Sequence, residues 1–357
     1  MSGVIGVLGG AGTVGRVVVD RLSRAGHAVR VGGRDLDRAR AVAGASEAFA
    51  VDLGEPDALT AFSSGCSVVV NCAGPSYRVL DVVARAALRA DAGYVDAAGD
   101  AVALDALTAD APPELQALPA VFSAGLMPGL SGLLPRLLAG AGPIGRLDIY
   151  VGGSVEISRL SAVDTLMTRG PRFGHALAVW RDGAVVGHSL TPLRSVSLPG
   201  FQGRVHAWPF LSTEAVSLAA ALGVAELRNY TVYATQNLPD VLAEAWAADG
   251  PVEEHVDAVV DAARRDVAEC GRHYAVLAHA RPPAGSGGTS RRVLLRTTDS
   301  YELSGVVAAS AAVDLLAGRV PPGAHHAAEV LDPHRTAAVL AADPLVTMLE
   351  LPEVTPR

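Results

Sequence analysis

Residues 4–34 restrict the fold more than any other stretch of the chain. Val4-Ile5-Gly6-Val7-Leu8 is a short apolar run of strand type. The turn Gly9-Gly10-Ala11-Gly12-Thr13-Val14-Gly15 follows, then an apolar-periodic stretch to Ala25. A second run, His27-Ala28-Val29-Arg30-Val31, ends in Gly32-Gly33-Arg34. Strand, glycine turn, helix and strand in that order form the first unit of a dinucleotide-binding fold. On this reading Gly10 allows the tight turn, Gly12 lets the backbone approach a pyrophosphate, and Gly15 lets the helix lie close on the strand. The helix opens near Thr13. Gly10, Ala11, Gly12, Thr13, Val14 and Gly15 are therefore the phosphate-binding candidates, with unpaired N–H groups and the positive end of the dipole facing the ligand.

The tip of the second strand bears on which nucleotide is taken. NAD sites place a carboxylate there, about twenty residues past the glycines, to accept from the ribose 2′-hydroxyl. Here the tip reads Gly32-Gly33-Arg34-Asp35. A guanidinium at Arg34 suits a 2′-phosphate, with Arg38 and Arg40 as secondary candidates. The expectation is NADP(H) in preference to NAD(H). The alternative is that Arg34 ends the strand and Asp35 holds the ribose.

The 357 residues are half hydrophobic, enough for two domains with cores of their own. A net charge of −8 without a basic block argues against a nucleic-acid partner. No apolar run reaches membrane-spanning length, and the first residues lack a signal-peptide pattern. Cys66, Cys72 and Cys270 are odd in number and form no CxxC pair, which argues against a disulfide framework and for the cytoplasm. All 29 basic residues of the Lys and Arg count are arginine. A chain without lysine has no Schiff-base lysine, no P-loop lysine and no Tyr-x-x-x-Lys pair. Its proton donors are restricted to His, Tyr, carboxyl groups, Cys and water.

Beyond Arg34 the pattern continues as alternating strands and helices. Ala48–Leu53, Cys66–Pro75 with a glycine turn at its carboxyl end, Gly93–Asp100 and Ala120–Gly125 read as strands, separated by helical stretches. The fold class is α/β: a Rossmann, doubly wound parallel sheet. Ligands lie at the carboxyl ends of such strands. That places Asp52 and Leu53 near an adenine, and Asn71-Cys72-Ala73-Gly74-Pro75 near a nicotinamide ribose. Turn capping is an equally good reading of Asn71 and Asp96. From Asp148 to about Arg296 strands alternate with polar loops around one long helix near Val252–Glu269, as in a mixed α+β domain. His273–Arg281 and Arg291–Thr298 read as a hairpin. Tyr301–Leu316 and Ala337–Ala342 read as helices returning to the first domain. The expected division is 1–125 plus 299–357 for the nucleotide domain and 126–298 for a substrate and dimerisation domain.

The chain resembles the saccharopine-dehydrogenase-like oxidoreductases. The resemblance rests on the glycine turn, on Val70-Asn71-Cys72-Ala73-Gly74-Pro75 and on Tyr94-Val95-Asp96-Ala97-Ala98-Gly99-Asp100. Gly125-Leu126-Met127-Pro128-Gly129-Leu130-Ser131 and Leu316-Ala317-Gly318-Arg319-Val320-Pro321-Pro322-Gly323 add to it. It implies an NAD(P) Rossmann domain, a second domain carrying substrate and often a dimer interface, and reactions at C–N bonds. Members of the family oxidise secondary amines or reduce imines; others reduce thiazolines or enoyl groups in secondary metabolism. The absence of lysine departs from the lysine-dependent saccharopine enzymes, so a biosynthetic accessory reductase is the expectation.

The reactive carbon of the nucleotide is expected outside Asn71 to Pro75, in a cleft between domains. Reduction of C=N needs hydride at carbon and a proton at nitrogen. Tyr77 is the first candidate for the proton donor, against the alternative of a packed aromatic at a helix start. His206, beside Trp208, is the second, against a structural histidine. Met127, Glu156 and Arg159 are candidates for holding the substrate, a small molecule or one presented on a carrier protein; a solvated turn is the other reading of Glu156 and Arg159. Gly129-Leu130-Ser131-Gly132 lacks nucleophile-elbow spacing, and His325, His326 and His334 lack zinc spacing, so no metal is expected. A reductase of C=N or C=C bonds is set against an NADP-sensing regulator, for which a second domain of about 170 residues would be superfluous.

Overall fold

The protein is described by a computed structural model covering residues 3–168 and 170–352. The chain forms two compact units. One holds the residues up to Leu130 together with Tyr301–Asp332, and the other holds Ser131–Ser300 together with the residues from Pro333 on.

The first unit is built on β1 (Val4–Leu8), β2 (Val29–Gly33), β3 (Glu47–Ala50), β4 (Cys66–Asn71), β5 (Gly93–Asp96) and β6 (Pro119–Phe122). Helices α1 (Thr13–Arg24), α2 (Leu36–Arg40), α3 (Pro56–Ser63), α4 (Ser76–Val79), α5 (Val82–Arg89) and α6 (Ala101–Ala109) connect them. Gly323–His326 adds a seventh strand at the β6 edge, giving the order seventh-β6-β5-β4-β1-β2-β3 with every pair parallel. β1 and β4 are buried on both faces, which explains their unbroken apolar sequence. The seventh strand was invisible in sequence because Gly323-Ala324-His325-His326 has no alternation and is only half-buried. On one side of the sheet, Leu8, Phe62, Leu88, Tyr94, Leu107 and Phe122 share a core. The buried Arg30 is held there by Glu47 at 2.7 Å and by the carbonyls of Phe62 and Ser64 at 2.6 and 2.7 Å.

The helix Ser300–Leu316 returns from the second sheet and lies on α1. Contact is closest at Gly305, where a Cβ would stand 2.6 Å from the Val14 carbonyl oxygen and 2.7 Å from the Val17 Cβ. Ser304 beside it accepts the Leu126 N–H at 3.0 Å, so this helix also fixes the turn after β6.

The second unit carries a ten-stranded mixed sheet. Its centre is β7 (Arg146–Ser154), parallel to Glu226–Tyr233 and antiparallel to His273–Arg281. The pair Gly152-Gly153 lies inside β7 rather than in a turn. A Cβ at either would overlap a carbonyl oxygen of the adjoining strand, Val232 on one side and His273 on the other. Three helices absent from the sequence reading, Arg159–Met167, Thr213–Leu222 and Asn237–Ala247, accompany Val256–Cys270. Thr213–Leu222 shows the missed signals: Ser212 caps its start and Gly223, at φ +61°, ends it in the left-handed region.

The chain after Asp332 belongs to this second unit, not to the nucleotide unit as expected from the sequence. Val346–Glu350 pairs antiparallel with Arg291–Thr297, so ladder hydrogen bonds rather than helix docking settle its place. The boundary also falls at Leu130, five residues past the expected one. Replacing Gly305→Ala should cost about 1–3 kcal/mol through overpacking; urea unfolding of the variant against the parent chain measures it.

Candidate functional site

The strand order turns back between β1 and β4, which opens a crevice at their carboxyl ends. The glycine turn lies at that crevice, and its glycines divide the work differently from the sequence expectation. Gly9, at φ +76°, makes the tight turn; a Cβ there would stand 2.8 Å from the Ala73 nitrogen. Gly10, expected in that role, instead makes room for the Val31 side chain, 2.8 Å from where its Cβ would be. A Cβ on Gly15 would overlap the Gly9 carbonyl oxygen and stand 2.6 Å from the Gly10 Cα, so Gly15 brings α1 onto the turn.

A Cβ on Gly12 would meet the Gly9 carbonyl oxygen alone, at 3.2 Å. Gly12 is the N-cap of α1, and no side chain caps this helix. The first-turn N–H groups of Thr13, Val14 and Gly15 are thus left for a ligand. Arg16 fastens the turn by donating to the Ala11 carbonyl at 3.0 Å. An uncapped helix start behind a strand-ending glycine turn fits a pyrophosphate, and Gly12 to Gly15 are the residues that would hold it.

At the β2 tip the structure separates Arg34 from Asp35. Asp35 caps α2, its Oδ1 accepting the N–H groups of Asp37 and Arg38 at 3.1 and 3.0 Å. One of its two carboxylate oxygens thus serves as the helix cap. Arg34 is exposed and, among the described residues, has no acidic partner, whereas Arg40 pairs with Asp37 at 3.4 Å. Asp52, past the end of β3, accepts the Gly54 N–H at 2.9 Å in a local turn, and Leu53 packs against the core.

Asn71 does the capping work that was one of its two readings. Its Oδ1 accepts the Ala73 N–H at 3.1 Å, and its Nδ2 donates to Asp96 Oδ2 at 3.0 Å. Asp96 also accepts the Tyr94 hydroxyl at 2.5 Å and the N–H groups of Ala98 and Gly99 at 2.9 and 2.6 Å. Asn71, Tyr94 and Asp96 are all buried. Burial and the Asp96 carboxylate hold the Tyr94 phenol well above its ordinary pKa, so it stays a donor. The same two causes push up the half-buried Cys72 thiol, keeping it neutral. The three cysteines are free.

Tyr77 begins one residue into α4, directly after the Asn71–Pro75 turn. Its hydroxyl is buried and has no hydrogen-bond partner among the described residues. Arg78 lies 5.3 Å from its ring centre. Met127 is exposed at the tip of the turn after β6, which is closed by Leu130 N–H donating to the Gly125 carbonyl at 3.0 Å.

Sequence reasoning missed the far end of this edge. Ser123, in the left-handed region at φ +60°, donates to the Gly99 carbonyl at 2.9 Å and lies 3.0 Å from His326 Nδ1. Asp100 caps α6 through the Val102 N–H at 3.0 Å. Its pKa is pushed up to about 6, first by burial and also by the neighbouring Asp96 charge. No spacing rule joins Ser123 to a histidine 203 residues away; only the seventh strand brings them together.

The remaining candidates belong to the second unit. Glu156 is ion-paired with Arg272, and Arg159 with Asp257, on exposed surface. Both charges are paired within the chain, and Arg159 opens the helix Arg159–Met167. His206 lies within hydrogen-bond range of Gln236 Nε2 at 2.6 Å, and burial with the Arg194 charge lowers its pKa. Among the described residues no group of His, Cys, Asp and Glu has the makings of a metal site. Nor is any helix there long and apolar enough to cross a membrane.

Residues 5–121 match the model of the saccharopine dehydrogenase NADP binding domain. No curated relative matches the sequence. Among solved structures, saccharopine dehydrogenase (L-Glu forming) from Saccharomyces cerevisiae is 16% identical with a TM-score of 0.68, over 98% of this chain and 99% of that one. UDP-N-acetylglucosamine 3-dehydrogenase GnnA from Acidithiobacillus ferrooxidans is 13% identical with a TM-score of 0.45, over 96% and 95%. The fold is thus that of saccharopine dehydrogenase, with an NADP-binding domain at its N-terminal end. Residues 5–121 are thus of the saccharopine dehydrogenase NADP binding type, and over the rest of the chain the likeness is one of fold.

The raised pKa of Asp100 gives a signed expectation. Its folded value lies above the unfolded one, so ionisation costs stability as pH rises through about 6. Asp100→Asn keeps a capping oxygen and removes that charge. Its melting temperature should exceed the parent's by about 2 °C at pH 8 and match it near pH 4, read by thermal denaturation across pH.

Proposed function

We propose that the protein moves hydride between NADP(H) and a C=N bond, reducing an imine or, in reverse, oxidising an amine. The substrate is a small molecule, free or carried on a protein. Three features support this reading: the saccharopine dehydrogenase type of the nucleotide domain, the crevice at the β1 and β4 ends, and above all Tyr77. A buried hydroxyl without a partner costs about 1–3 kcal/mol. That cost is relieved when a substrate nitrogen supplies the missing partner.

The bound nucleotide supplies the hydride that reaches the imine carbon. The chain's own work is to hold it and to manage the proton. Gly12 to Gly15 grip the pyrophosphate through backbone N–H groups. Arg34, exposed and without an acidic partner among the described residues, takes the 2′-phosphate. The Tyr77 hydroxyl gives its proton to the imine nitrogen as the carbon is reduced, and water reprotonates the phenolate afterwards. In the oxidative direction the phenolate takes the proton back. His206, engaged by Gln236 at 2.6 Å, is left with a structural part.

The direct test is incubation of the protein with NADPH and a panel of cyclic and acyclic imines, enoyl thioesters and carrier-bound analogues, following NADPH absorbance. Turnover of imines is the expected result. Turnover of enoyl substrates alone, or tight NADPH binding with no turnover at all, overturns the reading. Tyr77→Phe should lower kcat by about 100-fold or more while leaving the NADPH Kd unchanged, checked by steady-state kinetics and fluorescence titration. Arg34→Asp should weaken NADPH by ~10–100-fold and leave NADH little affected, the loss of one charge-assisted phosphate contact.

A further inference from the structure

The buried carboxylate of Asp96 stands where three loops of the nucleotide unit meet. Asn71 and Asp96 are register partners at the ends of β4 and β5. Through Asn71, one Asp96 oxygen reaches the Ala73 N–H, the centre of the turn beside which the reacting ring would lie. Through its other oxygen Asp96 gathers the Ala98 and Gly99 amides. The backbone adds two parallel ties, Ala97 N–H to the Asn71 carbonyl at 3.1 Å and Ala124 N–H to the Asp96 carbonyl at 2.8 Å. Ser123 then fastens the Gly99 carbonyl. The Asp96 side chain accepts four hydrogen bonds, and Asn71 has both ends of its amide in use. Neither end can turn without breaking a bond to Asp96 or to Ala73.

We infer that Asp96 is a positioning residue for the reaction: by fixing the orientation of the Asn71 amide it sets the Cys72–Pro75 turn against the nicotinamide end of the nucleotide. The inference rests on the proposed NADP(H) reaction. It separates two jobs along one crevice. The glycine turn at β1 sets how tightly the nucleotide binds, and the Asp96–Asn71 pair sets how its ring is held. A buried network that merely stabilised the fold would not divide its effects in this way.

The polarity of the pair supplies the test. In Asp96→Asn, an N–H₂ group faces the Asn71 amide nitrogen, so Asn71 must flip and lose Ala73. In the exchanged pair Asn71→Asp with Asp96→Asn, the new carboxylate accepts from Ala73 and from Asn at 96, which restores the link to the loop, while the Tyr94 hydroxyl, which donated to the same Asp96 oxygen, turns to accept from the new amide. Two quantities are read for each variant: the Kd for NADPH, and the fluorescence enhancement of the bound reduced ring, which needs no substrate. Where an imine substrate is turned over, kcat is added.

Asp96→Asn should keep its Kd within about threefold, lose most of the fluorescence enhancement and lose ~10–100-fold in kcat. The exchanged pair should recover both. If Asp96→Asn does not fold, Asn71→Ala reads the same quantities, since it removes only the link to the loop. Unchanged fluorescence in these variants, loss confined to Kd, or failure of the exchange to restore the signal each overturns the inference. If the parent chain binds NADPH but turns over no substrate, the proposed reaction fails while the fluorescence arm still decides the role of Asp96.

Discussion

The nucleotide unit depends on how closely α1 approaches the end of β1. Gly15 and Gly9 leave no room for a side chain between helix and turn, and the helix start is consequently delivered bare to the crevice. Hydrophobic burial beneath the sheet holds the strands together but is indifferent to where a helix begins. Two missing Cβ atoms decide that, and with it the position of the amides that face a pyrophosphate. The helix Ser300–Leu316 closes on the other side of α1 by the same device at Gly305. A segment nearly three hundred residues downstream thereby shares in holding the N-terminal turn.

Polar side chains organise what the glycines leave open. At the β2 tip, one Asp35 oxygen caps α2, and the neighbouring Arg34 is exposed without an acidic partner among the described residues. At the β4 and β5 ends, one buried carboxylate accepts four hydrogen bonds and joins adjacent loops. A buried charge is costly without such partners, so its presence at a ligand-facing edge points to a demand for fixed geometry. In the second unit Asp148 and Asp266 are likewise buried and bonded, to Arg146 and to Thr235 and Asn237. Glu156 and Arg159 find partners on the surface, as residues of an ordinary solvated ion pair do.

Much of the nucleotide unit was legible from residues 4–34, because each step of strand, turn, helix and strand carries its own local signature. The starts of β4 and β5, the hairpin near the C-terminal end and the helix from residue 300 follow from the same kinds of pattern, whereas β5 ends at Asp96, four residues before the expected Asp100. The glycine roles were legible only as a set. Which glycine turns and which yields space depends on Val31 and Ala73, residues of other strands. The second unit was harder to read, since three of its helices, Arg159–Met167, Thr213–Leu222 and Asn237–Ala247, were not seen among its strands.

By itself the sequence determined that a parallel α/β nucleotide unit would form and where its phosphate-facing turn lies, since helix and strand periodicity and glycine spacing act over a few residues. It also removed lysine chemistry altogether. Tertiary structure alone decided that Asn71 answers to Asp96, that Ser123 meets His326, and that the last strand joins the second sheet. Those pairings depend on which strands lie side by side. Strand order is fixed by the burial of whole faces and by long-range hydrogen bonding, and no local run of residues records it.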